Sequence, residues 1–270
     1  MRATLRKANT LLSVQYAQML EFRAEIFLWA ISTLLPLIMM GPWMVAGRSG
    51  NFPMDSAAFA RYFIAAFIVR QFSLTWVIYE FEYYVVTGRL SPFLLHPIDP
   101  VWRWVAAHLG EHLARLPFVI VLIGAALWLF PMALYDTEGV LWLPSPDRIV
   151  LAVGGIYAAF ALRFLMQYTL SLLAFWFERV SSFDRLLMIP YYFLAGLVAP
   201  LEVMPERVQE IVLWTPFPYM VWFPARLLCG GGGVAPARGF AVVGCWIVGL
   251  YLLNRILWRK GLKHYSAMGA

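Results

Sequence analysis

The sequence predicts an all-α, polytopic membrane fold, and three observations carry that prediction. Hydrophobic residues make up 62% of the chain and charged residues only 13%, against roughly 45–50% and about 25% in soluble domains. The apolar residues gather in runs that approach the roughly 20 positions a helix needs to cross hydrocarbon. The polar residues collect between those runs. In 270 residues, six such runs and their connections leave no room for a soluble domain, so 1–270 reads as a single transmembrane domain.

Residues 3–22 are too polar to span. Leu5, Ala8, Leu12, Tyr16 and Met19 nevertheless share one helical face, opposite Lys7, Thr10, Gln18 and Glu21, which describes a helix lying in the membrane surface. A loosely ordered tail is the alternative. The six spans fall at 26–46, 62–79, 117–135, 149–177, 186–204 and 240–257. Pro36, Pro42 and Pro190 lie inside them and predict kinks, because neighbouring helices can re-satisfy the carbonyls a proline frees. Residues 101–116, with Trp102, Arg103, Trp104, His108, Glu111, His112 and Arg115, read as a second interfacial helix feeding the third span. Residues 205–230 are apolar but broken by Pro216, Pro218 and Pro224. They read as a re-entrant helical hairpin dipping into the outer leaflet or, alternatively, as an irregular loop on the headgroups. The glycines at 230–233 give a flexible approach to the last span.

An even number of spans puts both termini on one side. Arg2, Arg6, Lys7, Arg23, Arg89, Arg103, Arg115, Arg179, Arg185, Arg255, Arg259, Lys260 and Lys263 share that side, whereas Arg48, Arg61, Arg148, Arg207, Arg226 and Arg238 fall on the other. By the positive-inside rule both termini are cytoplasmic. The net charge of +6 is thus topogenic, and no basic patch with a fold of its own points to nucleic acid. The amino terminus shows no apolar core with a cleavage site, so no removable signal peptide is expected. Cys229 and Cys245 predict neither a disulfide framework nor a metal framework.

The longest polar interruption is 80–100, where three acids, a Gly-Arg turn and three prolines could not sit in hydrocarbon without a cost of several kcal/mol per group. It is read as a cytoplasmic loop after the second span and, with 101–116, as the region that meets a partner. No G-x-x-x-x-G-K-[ST] occurs, so ATP, if used, is bound elsewhere. His108-Leu-Gly-Glu-His112 has the spacing of an inverted zinc-protease motif, but a third ligand is missing, and such residues are ordinary at a membrane interface. Deep in the runs lie Arg70 with Gln71 and Arg163 with Gln167. They either line a cavity for the anionic or polar part of a cargo or make structural hydrogen bonds to neighbouring helices or to Glu202. No acid sits mid-run, which argues against a secondary carrier; an ATP-independent channel or carrier is the rival reading.

Four stretches are more specific: Thr87-Gly-Arg-Leu-Ser-Pro-Phe-Leu-Leu-His-Pro97, Gly196-Leu-Val-Ala-Pro-Leu201 leading to Pro205, Pro216-Phe-Pro-Tyr219 followed by Pro224, and Trp258-Arg-Lys-Gly-Leu-Lys-His-Tyr-Ser-Ala-Met-Gly269. With the order of elements, they make the whole chain resemble permease subunits of the ABC-2 superfamily of ABC exporters, in a bacterial branch often paired with a second permease and one type of ATPase. The resemblance implies a multi-pass subunit of the bacterial inner membrane that forms half of a translocation path. It binds no cofactor itself, ATP and Mg being held by ATPase subunits, and its partners are those ATPases, an identical or related permease, and lipid. It further implies that the loop after the second span carries a coupling helix, with Glu80, Glu82, Gly88, Arg89 and Leu90 as contact residues.

Overall fold

The computed structural model describes residues 2–21, 23–135, 141–230 and 233–267. Among them the regular structure is helical, and the only extended pairing is an isolated antiparallel bridge between Tyr135 and Leu141. Five stretches are long and apolar enough to cross a membrane. The first joins α2 (Arg23–Ser32) to α3 (Leu35–Gly47), and the second joins α4 (Ser56–Ser73) to α5 (Val77–Val86). A four-residue α6 (Ser91–Leu94) leads to the third, α7 (Val101–Leu129). The fourth is α8 (Pro146–Ser171), extended by a 3-10 turn at Leu172–Phe175, and the fifth is α12 (Pro236–Ala267).

The expected span at 186–204 is not one helix. Its helical part, α9 (Ser181–Leu194), has 14 residues and so reaches about 21 Å, short of the roughly 30 Å hydrocarbon core. The chain turns at Gly196, whose φ is +86°, passes Pro200 and makes a 3-10 turn at Leu201–Val203. Two short helices follow, α10 (Glu206–Val212) and α11 (Trp222–Cys229). Trp222, Phe223, Pro224, Ala225, Leu227 and Cys229 of α11 are buried between α4 and α8.

Helix α4 is the centre of the bundle. In its span 72% of the most apolar window is buried, against 11% in α12, and Phe59, Tyr62, Phe63 and Phe67 are wholly enclosed. The outer helices instead turn Ile120, Val121, Trp128, Val248, Leu252 and Ile256 outward. A surface this apolar suits a hydrocarbon surround.

Two boundaries differ from expectation. Residues 101–116 are no separate interfacial helix: they continue through Pro117 into one 29-residue helix. Their polar side chains face inward instead of lying on a surface, and Trp104, His108, Glu111, His112 and Arg115 are all buried. The second span begins at Ser56, is interrupted at Leu74–Trp76, and runs on as α5, which carries Glu80 and Glu82 on a helix and not in a loop. Pro36 stands at the start of α3, next to a one-turn irregularity at Thr33–Leu34, whereas Pro42 and Pro190 lie within continuous helices.

The first helix, α1 (Arg2–Glu21), packs along α7. A Cβ on Gly110 would meet the backbone nitrogen of Tyr16 at 3.1 Å, so the glycine that weakens α7 locally lets the two backbones approach. The face of α1 turned inward carries Gln15, with Leu12 and Met19 half-buried, whereas Tyr16 is exposed. Leu5 and Ala8 of the expected apolar face lie outside the described side chains.

Candidate coupling segment and buried polar clusters

A helix interrupted inside a bundle frees backbone groups that need partners. At the α4–α5 break the partners come from one face of α7. Arg115 Nη1 donates to the carbonyl of Gln71 at 3.2 Å and reaches its side-chain oxygen at 3.4 Å, closing the end of α4. The backbone N–H of Trp76 donates to His108 Nε2 at 3.1 Å, closing the start of α5. Glu111 joins the two: it pairs with Arg115 Nη2 and accepts from Trp76 Nε1 at 2.6 Å. Because His108 Nε2 accepts, Nδ1 carries the proton and donates to the Trp104 carbonyl at 2.7 Å. The ring stacks on Trp76 with centroids 4.4 Å apart. Gln71 extends the network by donating to Thr33 Oγ1 at 2.7 Å and to the Ala30 carbonyl at 3.2 Å, beside the irregularity in the first span.

His108 and Glu111 of the zinc-like spacing thus belong to a clamp, whereas neither nitrogen of His112 has a hydrogen-bond partner among the described residues. Residues three and seven positions beyond His108 share its face, and the face holds a broken helix together. Both His108 nitrogens and both Glu111 oxygens are engaged. Among the described residues no group of three His, Cys, Asp or Glu side chains is arranged to hold a metal ion.

Below the break, α5 buries Val77, Ile78, Phe81 and Val85 in a second core with Trp104, Phe164, Tyr168, Phe175 and Tyr265. Glu82 accepts from the Ser181 backbone N–H at 2.6 Å and its hydroxyl at 3.2 Å. A carboxylate at a helix N-terminus is favourable, and here it fastens α5 to α9. Glu80 is half-buried in the same helix. Gly88, at φ +71°, supplies the left-handed residue that ends α5. Arg89 is exposed, with its guanidinium 5.3 Å from the Tyr83 ring. Leu90, expected as a contact residue, is instead enclosed, with an exposure of 0%. Ser91 Oγ lies 3.2 Å from Tyr265 Oη, and Asp99 pairs with Arg255 at 3.0 Å, so the segment also grips α12. What projects is Leu95, 86% exposed, flanked by Leu94 and His96.

The deep arginines meet elsewhere. Arg163, on α8, lies 3.8 Å from the Tyr191 ring centroid, and Arg70, on α4, lies 5.2 Å from that of Tyr192. Arg70 Nη2 also donates to Tyr192 Oη at 3.2 Å, and Arg163 Nη2 approaches the Met188 sulfur at 3.8 Å. Neither guanidinium pairs with a described acid. Arg70 Nε and Nη1, Arg163 Nε and both polar atoms of Gln167 have no hydrogen-bond partner among the described residues. Glu202 is not their partner: it pairs with Arg226 at 2.9 Å and accepts from Trp222 Nε1 at 3.0 Å.

Of the sequence-derived candidates, Glu82, Gly88, Arg89 and Leu90 share one segment, and Arg70 and Arg163 converge on α9. Gln71, next to Arg70 in sequence, belongs to the clamp. Sequence reasoning passed over Trp76, Tyr191 and Tyr192. The polar His108, Glu111 and Arg115 at helical spacing was the available signal for a buried face.

A family model described as an ABC-2 family transporter protein matches residues 46–269. This chain belongs to that family. The match takes in residues from the end of α3 through 269, including the clamp residues of α7, both arginines and the projecting segment. No curated protein matches the chain. Membership in the ABC-2 family, with five membrane-length helices, makes it a multi-pass membrane protein that fits a permease subunit and a transport role instead of an enzymatic one. Permeases of this family generally work with ABC ATPases.

Proposed function

We propose that this chain is the membrane-spanning subunit of an ATP-driven exporter, forming half of a translocation path and taking its drive from separate ATPase subunits that hold ATP and Mg. The observation that carries this reading is the segment 87–97. Its tip is exposed, while its base is fastened to α9 through Glu82 and to α12 through Ser91 and Asp99. A push on Leu95 would therefore reach several helices at once, which suits a bistable element moved from outside the chain. Arg89 and Leu95 are the contacts with the ATPase groove, Glu82 and Leu90 hold the segment's shape, and Glu80 and Gly88 set its start and end.

In this reading both termini face the cytoplasm of a bacterial inner membrane, a second permease completes the path, α9 with the chain to Met204 crosses as the sixth span, and α10–α11 form the outer gate. Arg70, Arg163 and Gln167 offer donors to the anionic or polar part of the cargo. The test is to reconstitute the chain with its ATPase and measure transport-linked hydrolysis for Leu95→Asp and Arg89→Glu. Loss of permease-dependent ATPase stimulation in protein that still inserts is the expected result. Full stimulation in both variants would overturn the docking assignment, and transport with no ATPase present would overturn the exporter itself.

A further inference from the structure

A pocket of about 270 Å³ opens between α7, α8 and α12, near the end of the bundle where α12 finishes. Its walls are apolar, with Val105, Phe160, Phe164 and Trp258 among them, and Asp99 and Arg255 stand in its lining as an ion pair at 3.0 Å. All three wall-forming helices are of membrane length, which suits lipid outside the mouth. Hydrocarbon alone gains little by leaving lipid for such a wall, so selectivity must come from the polar groups. Asn254 provides the decisive one: only 3% exposed and part of the lining, it donates through Nδ2 to the Leu165 carbonyl at 3.2 Å, yet its Oδ1 has no donor among the described residues. A buried acceptor left in this way is costly, so an occupant that brings an N–H is favoured.

We propose that this pocket binds one acyl chain of a phospholipid whose headgroup carries a primary ammonium, with its phosphate on Arg255 and its ammonium shared by Asp99 and Asn254 Oδ1. A zwitterion answers both members of the rim pair. A net-negative headgroup would meet the Asp99 carboxylate, and a trimethylated ammonium has no N–H to give Asn254. Exposed Trp102 and Tyr251 at the mouth are residues that favour the headgroup level. Occupancy is a property of this chain alone and does not depend on ATP-driven transport.

The test is native mass spectrometry of the full chain released from nanodiscs holding equal amounts of phosphatidylethanolamine, phosphatidylcholine and phosphatidylglycerol. One phosphatidylethanolamine per chain should be retained over either competitor by about tenfold, the worth of one charge-assisted hydrogen bond. Asn254→Leu should abolish the preference over phosphatidylcholine, Ala161→Trp should empty the pocket, and Ile256→Trp, on the outward face of α12, should change nothing. Equal retention of the three lipids by the unaltered chain would overturn the proposal, whether or not the variants fold. So would unchanged retention in Ala161→Trp; if that variant instead alters the oligomeric mass, the pocket is a contact between chains.

Discussion

Arg70 and Gln71 are neighbours on α4, yet they enter polar groups of opposite character. Gln71 joins a circuit in which Thr33, Arg115, Glu111, Trp76 and His108 bond to one another across three spans, leaving Arg115 Nε without a partner among the described residues. Arg70 joins Arg163 and Gln167 in a group that leaves several polar atoms unmatched and leans on two tyrosine faces. A buried charge without a counter-charge is expensive, and a cation–π contact returns only about 0.5–2 kcal/mol. The first group therefore has the character of structure, and the second is the one that the proposed function assigns to cargo.

The largest expected effect falls on the Gln71 circuit. Glu111→Ala leaves Arg115 buried beside an unpaired indole N–H and should cost about 3–5 kcal/mol, read as a lowered unfolding midpoint in detergent. A variant as stable as the parent would show that the circuit is not holding the break. The projecting segment gives the next contrast: Leu90→Ala should lose about 2–5 kcal/mol by opening a cavity, whereas Leu95→Ala, at an exposed site, should stay within about 0.5 kcal/mol. Equal effects would mean that Leu95 is covered by the chain itself. The smallest stability change belongs to the open group. Arg163→Gln should shift stability by no more than about 2 kcal/mol, the upper range of a cation–π contact, but lower transport in protein that still assembles. Undiminished transport would remove Arg163 from the path.

Much of this architecture could be read from local sequence. Five of the six apolar runs fall on membrane-length helices, and Gly88 reads from sequence as a turn. What escaped were relations between distant residues. The break at Leu74–Trp76 contains neither proline nor glycine, so nothing local announces it; it exists because His108 and Arg115, 32 and 44 positions from their backbone partners, accept its loose ends. Polar residues at 101–116 suggested a surface, because composition alone does not tell a wet face from one satisfied internally. Arg163 was visible as an oddity, but Tyr191, its partner, reads as an ordinary membrane aromatic. Sequence offers Glu202 as one partner for the deep arginines, whereas it pairs with Arg226, 24 positions away in a separate helix.

The bond from Gln71 to Thr33 bears on how the protein is made. Both residues belong to the first two spans, which emerge from the ribosome before α7 is synthesised. These spans can therefore enter the bilayer as a hairpin already stitched at mid-depth, with the amide of Gln71 sheltered from hydrocarbon. Arg115 arrives later and finds the Gln71 carbonyl already presented to it. In ribosome-bound chains that end before α7, Gln71→Leu should accordingly loosen the hairpin, read as faster proteolysis than in the unaltered nascent chain. Equal proteolysis of the two until the third span has inserted would make α7 the organiser of the bundle from the outset.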